Sequence, residues 1–202
     1  MPRLDFWYEF ASTYSYPAAM RIEALAAARG VAVRWRPFLL GPLFAAQGWR
    51  DSPFNLYPVK GRYMWRDLER ICATLELPLQ RPDPFPQNSL LAARVALALP
   101  DSLRATFSRA AFSAEFGHGR PISDRAVVAE LIAGLGEDAP ATLARAESPD
   151  NKAALKAACE EAMALGLPGS PACVTEDGEL FWGNDRLEPA ADWARTAVGS
   201  RQ

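Results

Sequence analysis

Residues Leu4 to Tyr16, LDFWYEFASTYSY, constrain the fold more than any other stretch of the chain. Leu4, Phe6, Trp7, Tyr8 and Phe10 make a short aromatic and apolar run of the kind that forms a buried strand. Ser12, Thr13 and Ser15 follow, residue types that favour helix N-termini. The next segment, Met20 to Arg29, puts Ile22, Leu25 and Ala26 on one helical face and stops at Gly30. Ser12 is therefore expected where a strand hands over to a helix. Backbone N–H groups and the positive end of a helix dipole gather at such a junction, which stabilises an anion, a thiolate included.

Val31 to Pro37 alternates apolar and basic residues and reads as a second strand. With the first strand and helix it makes a βαβ unit, which implies a parallel pair with a right-handed crossover. Phe38 to Gly61, rich in proline and glycine, reads as a functional or partly helical loop. A helical section follows. Arg62 to Leu77 keeps Tyr63, Leu68, Ile71, Cys72 and Leu75 near one face, and Arg81 to Pro86 is a proline-rich connector. Asn88 is the expected N-cap of a helix to Leu99, Asp101 that of a helix to about Phe116, and Ser123 that of Asp124 to Ala133. Ser148 and Pro149 begin a helix that carries Leu155, Cys159 and Met163 and stops near Gly166.

The character then changes at Leu167-Pro168-Gly169-Ser170-Pro171, a cluster of helix breakers. Two short strands, Ala172 to Val174 and Leu180 to Trp182, flank the hairpin-turn residues Glu176 to Glu179. A last helix, Glu188 to Val198, is expected to put Trp193 on its inner face. The order βαβ, helices, ββα predicts an α/β chain: a thioredoxin-like fold with a large all-helical insertion. Residues 1–45 plus 166–202 would form the thioredoxin-like domain and residues 46–165 the insertion.

The charge balance is even, 22 basic against 24 acidic residues for a net −2, and no basic block points to nucleic acid. There is no basic-then-apolar leader at the N-terminus and no apolar run of membrane-spanning length, so a soluble cytoplasmic protein is expected. Cys72, Cys159 and Cys173 lie far apart, with no C-x-x-C and no metal-ligand spacing. The one histidine, His118, sits in a turn-like Phe-Gly-His-Gly, which leaves little material for a zinc site or a Ser-His-Asp triad.

Three motifs carry a resemblance. They are Phe10-Ala11-Ser12-Thr13-Tyr14-Ser15-Tyr16, then Pro58-Val59-Lys60-Gly61-Arg62-Tyr63, then Phe181-Trp182-Gly183-Asn184-Asp185-Arg186-Leu187 preceded by Gly169-Ser170-Pro171. In that order the chain resembles the 2-hydroxychromene-2-carboxylate isomerase family, which is related to kappa-class glutathione transferases and to the DsbA-like branch of the thioredoxin superfamily. Redox relatives place C-x-x-C after the first strand. Here the place holds Ser12-Thr13-Tyr14-Ser15, and serine cannot exchange disulfides. A hydroxyl can still donate to another molecule's thiolate and hold it ionised.

The resemblance implies glutathione as cofactor, its sulfur as nucleophile and Ser12 as the catalytic activator of that sulfur. It implies a cis bond before Pro171, with the Ser170 main chain pairing with the cysteinyl part of glutathione. Asn184 and Asp185, at the start of the last helix, would take the γ-glutamyl carboxylate and ammonium, and Lys60 the glycyl carboxylate. Asp51 falls by spacing where the kappa class has a glutathione-contacting asparagine. Three positions depart from the pattern. Thr13 replaces a proline, and Gln87 and Leu91 replace a tyrosine and an arginine that face the substrate carboxylate. Arg36 and Arg94 are the candidates to supply a cation in their place, and Trp49, Tyr57, Trp65 and Phe85 to line an apolar pocket. The expected activity is reversible addition of glutathione thiolate to an unsaturated carbonyl substrate. A conjugate-forming transferase and a non-catalytic thiol-ligand or peptide-binding module are the alternatives. The expected partners are glutathione and a small-molecule substrate, with a homodimer implied by the resemblance alone and no nucleic acid or membrane.

Overall fold

A computed structural model describes residues 1–49 and 52–197. The chain begins with strand β1 (Arg3–Tyr8), helix α1 (Ser15–Ala27) and strand β2 (Ala32–Pro37). Eight helices follow: α2 (Leu40–Ala46), α3 (Pro53–Leu56), α4 (Pro58–Thr74), α5 (Leu90–Ala98), α6 (Asp101–Phe112), α7 (Arg125–Ala133), α8 (Ala139–Ala146) and α9 (Pro149–Ala164). A π-helical turn, Ser113–Gly117, extends α6. Strands β3 (Ala172–Thr175) and β4 (Leu180–Trp182) come next, then a 3₁₀ turn (Asn184–Arg186) that runs into helix α10 (Leu187–Ala197). The sheet order is β2-β1-β3-β4. β1 and β2 are parallel, with Phe6 opposite Trp35; β3 runs antiparallel to both β1 and β4. The expected order of elements is therefore the observed one.

The apolar run explains the position of β1. Phe6, Trp7 and Tyr8 are consecutive and all fully buried, so both faces of this central strand are covered. On one face Tyr8 packs against Phe6, Trp35, Phe10 and Phe112, with Tyr8 Oη 2.7 Å from Ser108 Oγ. That cluster joins the sheet to α6. On the other face Trp7 meets Phe38, and the Arg36 guanidinium lies over the Trp7 ring while ion-pairing with Glu161 of α9.

Several sequence expectations shift. β1 stops at Tyr8 rather than Phe10, because the Ser12 N–H turns back onto the Glu9 carbonyl at 3.1 Å. The helix begins at Ser15, five residues before the recognised apolar face. The irregular stretch after β2 contains α2 and α3, and α4 starts at Pro58. α7 is capped by Asp124, whose carboxylate accepts from the Ala126 N–H at 2.8 Å; Ser123 instead donates to Gln87 Oε1 at 2.8 Å. α8 was not anticipated: its alanine-rich sequence carries little periodic signal, and the cue is Asp138, which accepts from the Ala141 N–H next to Pro140. Trp193 does not face inward. Leu187, Ala190, Ala191 and Ala194 form the buried stripe of α10, and Trp193, 46 % exposed, donates its indole N–H to Asp177. Among the described residues no helix is long and apolar enough to cross a membrane.

Candidate active site

The end of β1, the loop before α1, the loop before β3 and the turn after β4 meet at one cleft of about 900 Å³. Ser12, Lys60, Ser170, Pro171, Asn184 and Asp185 all border it. Asp51 lies outside the described residues. The Ser170–Pro171 peptide bond is cis.

Ser12 is not a helix cap: α1 has no side-chain cap, and the Ser12 hydroxyl donates to the Ser170 carbonyl at 3.0 Å. Ser12 is 9 % exposed, so its oxygen is held at the cleft wall rather than in open solvent. The Ser170 side chain is fixed independently. Its Oγ accepts from the Glu9 N–H at 2.9 Å and shares a hydrogen bond with Ser15 Oγ at 2.7 Å. Thr13, in the place of a turn proline, is buried and donates its hydroxyl to Met64 Sδ at 3.1 Å, which anchors the loop against α4.

Asn184 is buried, and its Oδ1 accepts from Arg21 Nε at 3.0 Å; Arg21 also binds the Asn184 carbonyl and Glu188. The Asn184 side chain is thus committed to the scaffold. Asp185 is well exposed and ion-pairs with its neighbour Arg186, at 3.3 Å. Gly183 makes this turn possible: its φ is +116°, and a Cβ there would lie 2.5 Å from Asp185 Oδ1. Lys60 is exposed in the first turn of α4, its ammonium 4.8 Å from the centre of the Tyr57 ring.

Of the expected aromatic lining, Trp49 and Phe85 border the cleft; Tyr57 and Trp65 do not, Trp65 packing edge-on behind Phe85. Gln87 borders it, but its amide already donates to Pro84 O at 2.6 Å and accepts from Ser123. Leu91 is not in the wall; Leu90 is. Neither arginine candidate reaches the cleft. Arg36 is tied to Glu161 and Trp7, and Arg94 sits on α5, whose Arg94 carbonyl accepts from Asn151 of α9. Among the described lining residues Lys60 is the one base.

Sequence reasoning missed Glu9, Tyr14 and Asp67. Tyr14 donates to Asp67 at 3.0 Å, and burial together with that carboxylate pushes the phenol above its ordinary range. Glu9 borders the cleft at 4 % exposure and accepts from Ser89 Oγ. Burial pushes its carboxyl up to about 7, against the pull of Ser89 and the Ala11 N–H. The three cysteines are buried free thiols, all pushed up by burial, Cys72 to about 11, and none borders the cleft. His118 is exposed, with Nδ1 2.9 Å from the Ser113 carbonyl, and no metal-binding cluster occurs among the described residues. The site therefore combines a placed hydroxyl, acids and one lysine around an apolar cleft, without a reactive thiol of its own.

The family model of the DSBA-like thioredoxin domain matches residues 3–193. The 2-hydroxychromene-2-carboxylate isomerase of Sphingobium xenophagum is 31 % identical over 186 residues, covering 92 % of this chain and 94 % of its own. Glutathione S-transferase kappa 1 of Caenorhabditis elegans is 28 % identical, covering 95 % and 90 %. The solved structure of a selenomethionine 2-hydroxychromene-2-carboxylate isomerase superposes with a TM-score of 0.85 at 25 % identity, covering 98 % of this chain and 95 % of that one. The chain belongs to the DSBA-like thioredoxin domain family and, within it, to the relatives of 2-hydroxychromene-2-carboxylate isomerase.

Proposed function

We propose that the chain is a glutathione-dependent isomerase, of the type of its 2-hydroxychromene-2-carboxylate isomerase relative, that adds glutathione thiolate reversibly to an unsaturated carbonyl compound. The observation that carries this reading is the pairing of Ser12 with the Ser170 carbonyl at the cleft wall, in a chain whose own thiols are all buried elsewhere. A hydroxyl rotates freely about its C–O bond. When a thiolate arrives, Ser12 turns its hydrogen onto the sulfur, which favours the ionised form. The Ser170 carbonyl, released, then accepts the cysteinyl N–H of the same ligand, as an added strand would. Asp185 takes the γ-glutamyl ammonium and Lys60 the glycyl carboxylate. Asn184, its side chain held by Arg21, contributes through its main chain at the head of the 3₁₀ turn. Thiolate addition makes a single bond of the former double bond, the adduct rotates, and loss of the thiolate returns glutathione unchanged.

The similarity to the Caenorhabditis elegans kappa 1 transferase supports a second reading, in which the adduct is released as a conjugate. Product analysis separates the two. With a panel of unsaturated carbonyl compounds and less glutathione than substrate, the isomerase reading expects conversion beyond one equivalent of glutathione with the thiol recovered. Loss of one glutathione per turnover makes the chain a transferase. Glutathione binding with no turnover makes it a binding module.

A further inference from the structure

We infer that Glu9 is the acid of the reaction, donating its carboxyl proton to the carbonyl oxygen of an uncharged electrophile as the thiolate adds to the β-carbon. This rests on the glutathione reading above and names the substrate class it implies. Glu9 stands one residue past β1 and three before Ser12, so the strand that ends at the thiolate position also delivers a carboxyl group to the same cleft. Ser89, its hydrogen-bond donor just before α5, borders that cleft too.

Among the described residues no cation pairs with this carboxyl. From α5 it receives the Ser89 hydroxyl; from its own loop, the Ala11 N–H. The titratable groups that feel it are Glu115 on the π turn after α6 and the Cys159 thiol on α9. Glu115 is completely buried, and neither of its carboxylate oxygens has a partner. Burial is what keeps Glu9 protonated up to about 7, so that it still has a hydrogen to give, and a charge on Glu9 would in turn push Glu115 higher. Lys60, the one base among the described lining residues, is matched by glutathione's own glycyl carboxylate. Leu39, Leu40, Phe44 and Leu90 add an apolar stretch to the wall. A neutral enone suits such a site.

The step balances without another reagent. Sulfur forms a bond to the β-carbon, the double-bond electrons shift toward the carbonyl, and its oxygen takes the Glu9 proton to give an enol. After rotation about the new single bond the enol returns its proton to Glu9, the double bond re-forms and the C–S bond breaks. Glu9 acts as donor only while protonated, so turnover falls as pH rises through its titration near 7.

The test uses the full chain, glutathione and cis-4-phenyl-3-buten-2-one, with the 4-carboxyphenyl analogue as the anionic comparison. Wild type is expected to isomerise the neutral enone and to prefer it over the carboxylate. Glu9→Gln should lower kcat by about 100-fold and abolish the decline near neutral pH, with calorimetric glutathione affinity unchanged. Ser89→Ala keeps the acid but removes the bond that lowers its pKa, so the decline should move to higher pH; this variant serves if Glu9→Gln does not fold. Unaltered pH profiles in both variants, preference for the carboxylate, or glutathione binding with neither enone turned over would overturn the inference and leave the glutathione reading standing. Absence of glutathione binding to wild type would instead remove that reading, and this inference with it.

Discussion

At the Ser12 hydroxyl one hydrogen has two competing acceptors, the Ser170 carbonyl that holds it here at 3.0 Å and the thiolate of the proposed ligand. A charged acceptor wins such a contest, because a hydrogen bond to an ion contributes about 1.5–3 kcal/mol against about 1 for a neutral one. Ser12→Ala is accordingly expected to raise the pKa of bound glutathione's thiol by about 1–2. Titrating the ultraviolet absorbance of the thiolate in both proteins checks this, and identical titrations would take Ser12 out of the chemistry. Asp185 makes a separate case, since it is exposed and its ion-pair partner is adjacent in sequence. Asp185→Ala should weaken glutathione binding by about 1–3 kcal/mol, read by calorimetry. Two further residues act on stability. Burial holds the carboxyls of both Glu9 and Glu115 above their ordinary range, so the folded chain binds more protons than the unfolded one. Their stabilising protonated forms are fully present below the unfolded value near 4.5 and are lost as pH rises, for Glu9 through about 7. Glu115→Gln should therefore be more stable than wild type at pH 8 and little changed at pH 4; urea unfolding that shows the same pH dependence in both proteins would contradict it. The place of Ser12 in a strand-to-helix turn was legible from local signals, whereas the cis bond before Pro171 was expected from the resemblance. Glu9 was not legible. A carboxylate at the end of an apolar run reads as a solvated turn acid, and its burial comes from tertiary packing that includes Ser89, 80 residues later.

Among the elements, legibility followed the strength of local signals. β4 has the expected bounds, and α9 starts after Ser148 as its cap and proline require, with Ser148 Oγ accepting from the Asn151 N–H at 3.2 Å. The stretch after β2 reads as functional or partly helical because its prolines and glycines break periodicity, and its helices α2 and α3 could not be bounded in advance; Pro53 and Pro58 stand in the first turns of α3 and α4, where a missing N–H costs nothing. At the start of α7 the sequence reading takes Ser123 as the cap, but Asp124 fills that role, because the hydroxyl of Ser123 goes to a tertiary partner, Gln87 Oε1. The two residues should then respond differently to truncation. Asp124→Ala removes the accepted Ala126 N–H and should cost about 1 kcal/mol of stability, whereas Ser123→Ala loses a neutral bond at an exposed position and should cost less. Denaturant midpoints measured side by side test the order, and a larger loss for Ser123→Ala would reverse the cap assignment.

For the whole molecule the question is whether the sheet and the helices between β2 and β3 are separate folding units, since sequence order alone divides them at residues 45 and 166. The aromatic cluster argues for one unit. Phe112 of α6 packs 6.0 Å from Tyr8 and 5.1 Å from Phe10 by ring centroids, and Tyr8 bonds Ser108 across the same boundary. Phe116 of the π turn stacks on Tyr16 of α1, so the helical segment also grips the helix that carries the site. Apolar contacts of this kind are removed together when either side opens, which couples the two unfolding equilibria. Phe112→Ala leaves a cavity at the centre of that contact and should cost about 3–5 kcal/mol. The loss should appear in a single transition, with near-ultraviolet signals from Trp35 and Tyr8 in the sheet and far-ultraviolet signals from the helices shifting to the same lower midpoint. If the variant instead melted in two steps, with the helical signal lost first and the sheet aromatics unmoved, the two parts would be independent domains and the cluster merely their interface. Coincident transitions in wild type and variant would tie the geometry of the cleft, walled by the loop after β1, α4 and the loop before α5, to the integrity of the whole chain.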